Sequence, residues 1–533
     1  MVQMTDFSYD LPYPSARAPV SARNIVATSQ PLAVQAGLRM LQAGGNAVDA
    51  ALASAITLTV VEPTANGLGS DAFAIIWDGK ALHGLNASGR SPAAWSIERF
   101  SNLKTMPRRG WDSVTVPGAV SAWVALSEKF GRLPFESLFE PAISYAQNGF
   151  IVSPAIASTW QRVAGNYPAT VGYNQAFLPS GRAPEAGETF IFSNVASSLQ
   201  QIARSRGEAF YRGALAERIV RHAAEHGGAM TLDDMATHQA DWCDTLQAAY
   251  GDFTLHEIPP STQGIAALVA LKLLRHLGIE KYKPDTALAL HLQIEAMKLA
   301  LVDTDAFVAD ESAMTVSSAA MLDDAYIASR ASLIDMARAG DPKAGAPTAG
   351  GTVYVATADA SGMMVSFIQS NYEGFGSGVV VPDTGISLHN RGYGFSLDPT
   401  HPNVVAPRKR PFHTIIPGFV TRAGKPLMSF GIMGGPMQAQ GHLQLLLRTL
   451  IYRQNPQAAS DAPRWRLVSG RKVAIETGCE LSVVEQLQAM GHEIQREPPE
   501  ASWGFGGAQL ICRVDGGYVA GSDHRKDGHA AGF

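Results

Sequence analysis

Thr352 is the residue whose neighbours could turn a hydroxyl into a nucleophile. A Gly/Ala/Pro-rich stretch, residues 337–351, ends at Gly351, and a strand-like run, Val353-Tyr354-Val355-Ala356-Thr357-Ala358, starts directly after Thr352. A Gly-Thr bond at such a junction is a place where a precursor can cut itself and free Thr352 as an amino-terminal nucleophile. A threonine hydroxyl is a weak nucleophile at its free pKa and needs a base beside it. A released α-amine, with a reference pKa of about 7.7–8.0, accepts protons near neutral pH and is such a base. The alternative is that Thr352 merely opens a strand, and the local pattern taken alone favours that plainer reading.

The elements that must position this residue follow from periodicity and punctuation. Ser29 is placed to cap a helix with Pro31 in its first turn, and Gly44-Gly45 can end it. Asn46 then caps a second helix, running to about Thr59 and dominated by alanine, which suits close packing against a sheet or another helix. Helical patterning returns at 135–148, 195–206, 214–225, 264–277 and 286–301. After Thr352 strands dominate: 353–358 and 363–369 joined by the hairpin connection Asp359-Ala360-Ser361-Gly362, then 379–381, 414–420 and 427–430, with a helix at 438–452. This order predicts an α/β (α+β) fold of sheets covered by helices.

Composition narrows the function. The 533 residues exceed the size at which one core stops growing, although a single large layered domain is allowed. A net charge of −5 without a long basic run argues against a nucleic-acid partner. The cysteines Cys243, Cys479 and Cys512 are odd in number and far apart, which fits a reducing compartment and neither a disulfide framework nor a zinc site. Segment 1–7 lacks a basic start and an apolar core, and no apolar run reaches the roughly 20 residues of a membrane span. A cytoplasmic protein without membrane attachment is the expectation. The 14 histidines show no ligand spacing, so neither a metal nor another cofactor is expected. Gly374-Phe375-Gly376-Ser377-Gly378 does not open a helix; it reads as a loop whose backbone passes close to something.

With these landmarks in place, the chain resembles the γ-glutamyltranspeptidase family of N-terminal-nucleophile hydrolases. The likeness is carried by Leu41-Gln42-Ala43-Gly44-Gly45-Asn46-Ala47-Val48-Asp49-Ala50-Ala51, Val61-Glu62-Pro63, Gly67-Leu68-Gly69 and Val116-Pro117-Gly118. It continues through Thr352 at the nucleophile's place, Gly385-Ile386, Arg410-Pro411 and Gly434-Gly435. The resemblance implies a four-layer αββα sandwich made as a precursor. It also implies a large subunit, 1–351, and a small one, 352–533, intertwined as a heterodimer in one catalytic domain; pairing of two heterodimers is left open. Thr352 would be nucleophile and, through its amine, base. Gly434 and Gly435 would turn backbone N–H groups toward the oxyanion, each donor worth about 3–4 kcal/mol of barrier. Ser370 aligns with a hydroxyl that hydrogen-bonds the nucleophile.

Departures from the family bear on substrate. γ-Glutamyl enzymes grip the glutamate carboxylate with an arginine and its amine with an acid. Here Ser88 stands at the arginine's place, with Arg90 two residues on, and Gly394 stands at the acid's place. Arg391 replaces a neutral amide and His413-Thr414 replaces a serine pair. An acid is lost and a positive group gained, which predicts a small acyl group bearing a carboxylate and no amine. Arg90 and Arg391 are candidate carboxylate clamps, with a surface or subunit-interface place the alternative for each, and His413 and Thr414 are further candidate substrate contacts. The phrases Asn86-Ala87-Ser88-Gly89-Arg90, Ser370-Asn371-Tyr372 and Arg410-Pro411-Phe412-His413-Thr414 resemble a branch that includes oxamate amidohydrolase-like proteins of purine breakdown and glutathione hydrolase-like proteins. Small linear amides of the oxamate type are thus the expected substrates. The alternatives are a γ-glutamyltransferase or glutathione hydrolase, a glutaryl or cephalosporin acylase, and an uncleaved binding protein.

Overall fold

The structure, a computed structural model, describes Tyr13 and residues 17–168, 170–341, 351–498 and 503–533. Residues 342–350 of the stretch before Gly351, and segment 1–7, lie outside the described residues.

Two antiparallel seven-stranded sheets form the centre. The first runs His529–Gly532, Ile25–Thr28, Gly351–Ala358, Met364–Tyr372, Asp71–Trp77, Leu82–Asn86, Asp241–Cys243. The second runs Val20–Ala22, Gly517–Ser522, Ala508–Val514, Lys425–Ile432, Gly418–Arg422, Phe253–Glu257, Leu246–Tyr250. Each sheet mixes strands from before and after Thr352, so neither part could close its sheets alone.

Three apolar layers bind the stack. Between the sheets, Phe73, Ile75, Tyr354, Ile368, Phe419 and Ile511 are wholly buried. Helices Pro31–Gln42 and Ala47–Val61 cover the first sheet, and Gly264–Leu277, Ala287–Phe307 and Met437–Leu446 cover the second. The result is the αββα sandwich of the N-terminal-nucleophile hydrolases.

The alanine-rich helix Ala47–Val61 is buried on every side, which explains its composition. Asn46 and Asp49 form its capping box, as the residue types imply. It meets both kinds of neighbour: a Cβ on Gly37 of the preceding helix would come 2.5 Å from Ser54 Oγ, while Thr357 Oγ1 donates to the Ala47 carbonyl across to the sheet.

Two expectations need correction. The first helix is capped by Gln30, whose side chain accepts from Leu32 N at 2.6 Å; Ser29 instead donates to buried Glu62 at 2.5 Å. The strand expected at 414–420 is shortened to Gly418–Arg422. Its first residues give their backbone groups to side chains, as when Ile416 N donates to Gln438 Oε1 at 2.9 Å.

Candidate active site

Thr352 lies near the start of Gly351–Ala358, buried, at a register shift between Gly351 and Val353. The bulge interrupts the ladder at this residue. Its Oγ1 donates to Ser370 Oγ at 3.2 Å, and Ser370 Oγ donates to the Gly351 carbonyl at 2.6 Å. The Tyr372 N–H fixes the serine by donating to its Oγ at 2.7 Å. Ser370 therefore touches both the hydroxyl that would attack and the carbonyl that would be attacked. A Cβ on Gly351 would meet Gly374 N at 3.0 Å and Ala65 Cα at 3.3 Å, so a bare backbone is needed here. The glycine-rich 374–378 loop does pass close to something, and that something is the Gly351 backbone.

On the other side Gln438 Nε2 donates to Thr352 Oγ1 at 3.4 Å. Gln438 belongs to helix Met437–Leu446, which opens just after Gly434-Gly435-Pro436. Gly434 and Gly435 have φ of +116° and +58°, values at home in glycine. Their N–H groups have no partner among the described residues. Gln263 ties this turn to the next loop, donating to both the Gly435 and Thr414 carbonyls.

Arg391 is the notable charge. It is fully buried, its Nη1 donates to Thr414 Oγ1 at 3.1 Å, and its guanidinium sits 4.2 Å from the centre of the Tyr372 ring. Nε and Nη2, the two donors along one edge of the fork, have no partner among the described residues. Burial pushes the guanidinium down to about 10, with Tyr372, Asp71 and Glu373 pulling the other way, so it stays charged at neutral pH. A buried cation with an open two-donor edge is shaped for a carboxylate.

His413 neighbours Thr414 and is wholly buried with both ring nitrogens unpartnered; burial, then the charge of Arg391, holds it well below its ordinary pKa. Gly394 cannot gain a side chain cheaply, since a Cβ would come 2.6 Å from the Phe412 carbonyl. Thr352, Ser370, Gly434, Gly435, Arg391, His413 and Thr414 are thus joined by one hydrogen-bonded and packed network.

Arg90 stands apart. Its side chain is 44% exposed and is engaged by Asp310, Asp241 and the Arg408 carbonyl. It lines a surface cavity of about 350 Å³ with Asp234, His238 and Arg408.

Sequence reasoning passed over Gln438, Gln263, Arg410 and Asp71. Arg410, noted only as a landmark, donates through Nε to the Ser88 carbonyl at 2.9 Å. Asp71 follows the landmark Gly67-Leu68-Gly69 by two residues and is fully buried opposite Ser370 in the neighbouring strand. A carboxylate leading an otherwise apolar strand was the available signal.

Among the described residues, one group has ligand-like spacing: His291, Glu295 and His492 lie within ligating distance of one another. These groups already serve one another: His291 Nδ1 meets His492 Nε2 at 2.8 Å, and Lys298 donates to Glu295 at 2.8 Å.

The αββα sandwich is shared with the N-terminal-nucleophile hydrolases, and the chain's relatives make it an amide-hydrolysing enzyme of that type. A family model described as gamma-glutamyltranspeptidase matches residues 33–533. The chain belongs to the γ-glutamyltranspeptidase family. It is 35% identical over 524 residues to the glutathione hydrolase-like YwrD proenzyme of Bacillus subtilis (strain 168), covering 96% of this chain and 99% of that protein. It is 34% identical over 528 residues to the oxamate amidohydrolase proenzyme of Klebsiella pneumoniae, with 96% and 99% covered. Among solved structures, cephalosporin acylase from Bacillus halodurans superposes with a TM-score of 0.93 at 46% identity, covering 99% of each chain.

Proposed function

We propose that the chain cuts itself between Gly351 and Thr352 and then hydrolyses a small amide whose acyl part carries a carboxylate, oxamate being the type substrate. In the cut, Thr352 Oγ attacks the Gly351 carbonyl carbon while the Ser370 hydroxyl, hydrogen-bonded to both, keeps attacker and target aligned. The Oγ–C bond forms and the C–N bond breaks, the proton lost by Oγ passes to the Thr352 nitrogen, which becomes a free amine, and water hydrolyses the resulting ester. In turnover that amine takes the proton of its own Oγ as Oγ attacks the substrate amide. The unpartnered N–H groups of Gly434 and Gly435 would receive the oxyanion. Ammonia or an amine leaves, and water frees the acyl group.

One observation carries the substrate reading: the open Nε–Nη2 edge of buried Arg391, tied through Thr414 and Tyr372 to the threonine network. Gly394, with no acid and no room for one, supports an acyl group without an amine. The likeness to an oxamate amidohydrolase proenzyme agrees. The likeness to a cephalosporin acylase favours a second reading, in which a longer carboxylate-bearing acyl chain uses the same clamp. Chains 1–351 and 352–533 would stay together as a heterodimer, since both sheets draw strands from each. The three free thiols suit cytoplasmic work.

The test is a side-by-side assay of oxamate, a glutaryl amide of the cephalosporin type, glutathione and a γ-glutamyl anilide. Release of ammonia from oxamate well above γ-glutamyl turnover is expected. Efficient γ-glutamyl turnover with Gly394 in place would overturn the pocket argument.

A further inference from the structure

Asp71 is a buried carboxylate for which the cleavage and acyl-transfer steps have no use. Its Oδ1 accepts from the Gly89 and Gly118 N–H groups at 3.1 and 3.0 Å, which pins it to two loops. Its Oδ2 has no hydrogen-bond partner among the described residues, although the side chain is wholly shielded from solvent. His413 Nε2 lies 3.5 Å from Oδ2, and His389 Nε2 lies 3.6 Å from Oδ1. The other groups whose charge reaches it are Arg391, Arg410 and the Tyr211 phenol. Asp71 is also the cross-strand partner of Ser370, so it shares the nucleophile's surroundings.

Asp71 and Arg391 are opposite charges within reach of one another in a buried setting. A substrate carboxylate on the open edge of Arg391 leaves one negative charge too many in a dry environment. Removing that excess by proton uptake costs less than burying two carboxylates beside one guanidinium.

We propose that Asp71 takes up a proton from solvent when a substrate carboxylate docks on Arg391, so that anion binding and Asp71 protonation are one coupled event. This rests on the carboxylate-clamp reading of Arg391. The proton would sit on Oδ2, facing the imidazole nitrogen of His413. Burial already pushes the Asp71 carboxyl up to about 7, with Arg391 and the Gly89 and Gly118 amides opposing, so the group is poised to respond near neutrality. The surrounding histidines are silent there: burial, then the Arg391 charge, holds His389 down to about 3 and His413 well below its ordinary value. Burial keeps the Tyr211 phenol neutral.

Calorimetric titration of the mature enzyme with oxalate, in two buffers of different ionisation enthalpy, reads the coupling. The wild type should take up about half a proton at pH 7, approaching one at higher pH, and bind oxalate about tenfold more weakly for each pH unit above the Asp71 range. Asp71→Asn, which keeps the Oδ1 acceptor, should bind oxalate with a nearly flat pH profile and lose that uptake. The free Thr352 amine titrates nearby and is common to both proteins, so it cannot account for their difference. An infrared carboxylic-acid band appearing when oxalate meets the wild type reports the same event, should the variant not fold. Tight oxalate binding without proton uptake or a new band, or the wild-type slope in Asp71→Asn, overturns the proposal and leaves the clamp standing. No oxalate binding by the wild type, or full affinity in Arg391→Gln, overturns the clamp and this inference with it.

Discussion

At the residue scale, the hydroxyl of Ser370 has two tasks that a hydrophobic side chain could not share. It accepts from Thr352 Oγ1 and donates to the Gly351 carbonyl, aligning attacker and target within one hydrogen-bonded chain. Removing it leaves both groups in place but unaligned, at the cost of a hydrogen bond of about 1–1.5 kcal/mol, or roughly tenfold in rate. Ser370→Ala should therefore mature roughly tenfold more slowly, followed on a denaturing gel, and show a similar fall in kcat with little change in KM. Maturation and kcat at wild-type rates would return Ser370 to a purely structural role. Thr352 was legible from residue types and order, and Ser370 and the glycine pair only through the family resemblance. Asp71 was not, because a lone carboxylate at a strand start carries no spacing signal, and only the fold brings His413 and His389 to it.

At the scale of elements, the turn 434–436 and the helix after it decide where the N–H donors and Gln438 point. A Cβ at Gly434, held at φ +116°, is strained by about 1–3 kcal/mol whatever space surrounds it. Gly434→Ala is expected to rotate the turn and lower kcat by about a hundredfold or more, the loss typical of one oxyanion donor, while circular dichroism stays unchanged. A fully active Gly434→Ala enzyme would place the oxyanion elsewhere. The helices were readable where caps announce them, as at Asn46 and Asp49. The strand Asp71–Trp77 was missed because it is buried on both faces, so its apolar run lacks alternation. The reverse happened at 414–417, where β-branched residues suggested a strand but the backbone is diverted to Gln438 and Gln263.

At the scale of the whole molecule, a cut chain survives only if its two parts remain locked together. The interleaved strands do this, and buried ion pairs within the carboxy-terminal part hold that part itself together. Asp523 is wholly buried and contacts Arg464 at 2.6 Å and Arg525 at 3.1 Å. Burial alone would raise its pKa, but the two guanidinium groups more than offset this and hold it far below the usual carboxylate range. A depressed folded pKa means stability that is present above the unfolded value, about 3.9, and lost as pH falls through it toward the folded one. Asp523→Asn should cost about 3–5 kcal/mol at neutral pH, seen as a lower urea midpoint. The gap between variant and wild type should narrow below about pH 4, and a gap independent of pH would contradict the assignment. Mass spectrometry of the purified, folded protein tests the central claim most directly. The account predicts two chains, the smaller beginning Thr352-Val353-Tyr354-Val355, and a single 533-residue chain without activity for Thr352→Ala. An active wild-type protein that remains one uncut chain would contradict it.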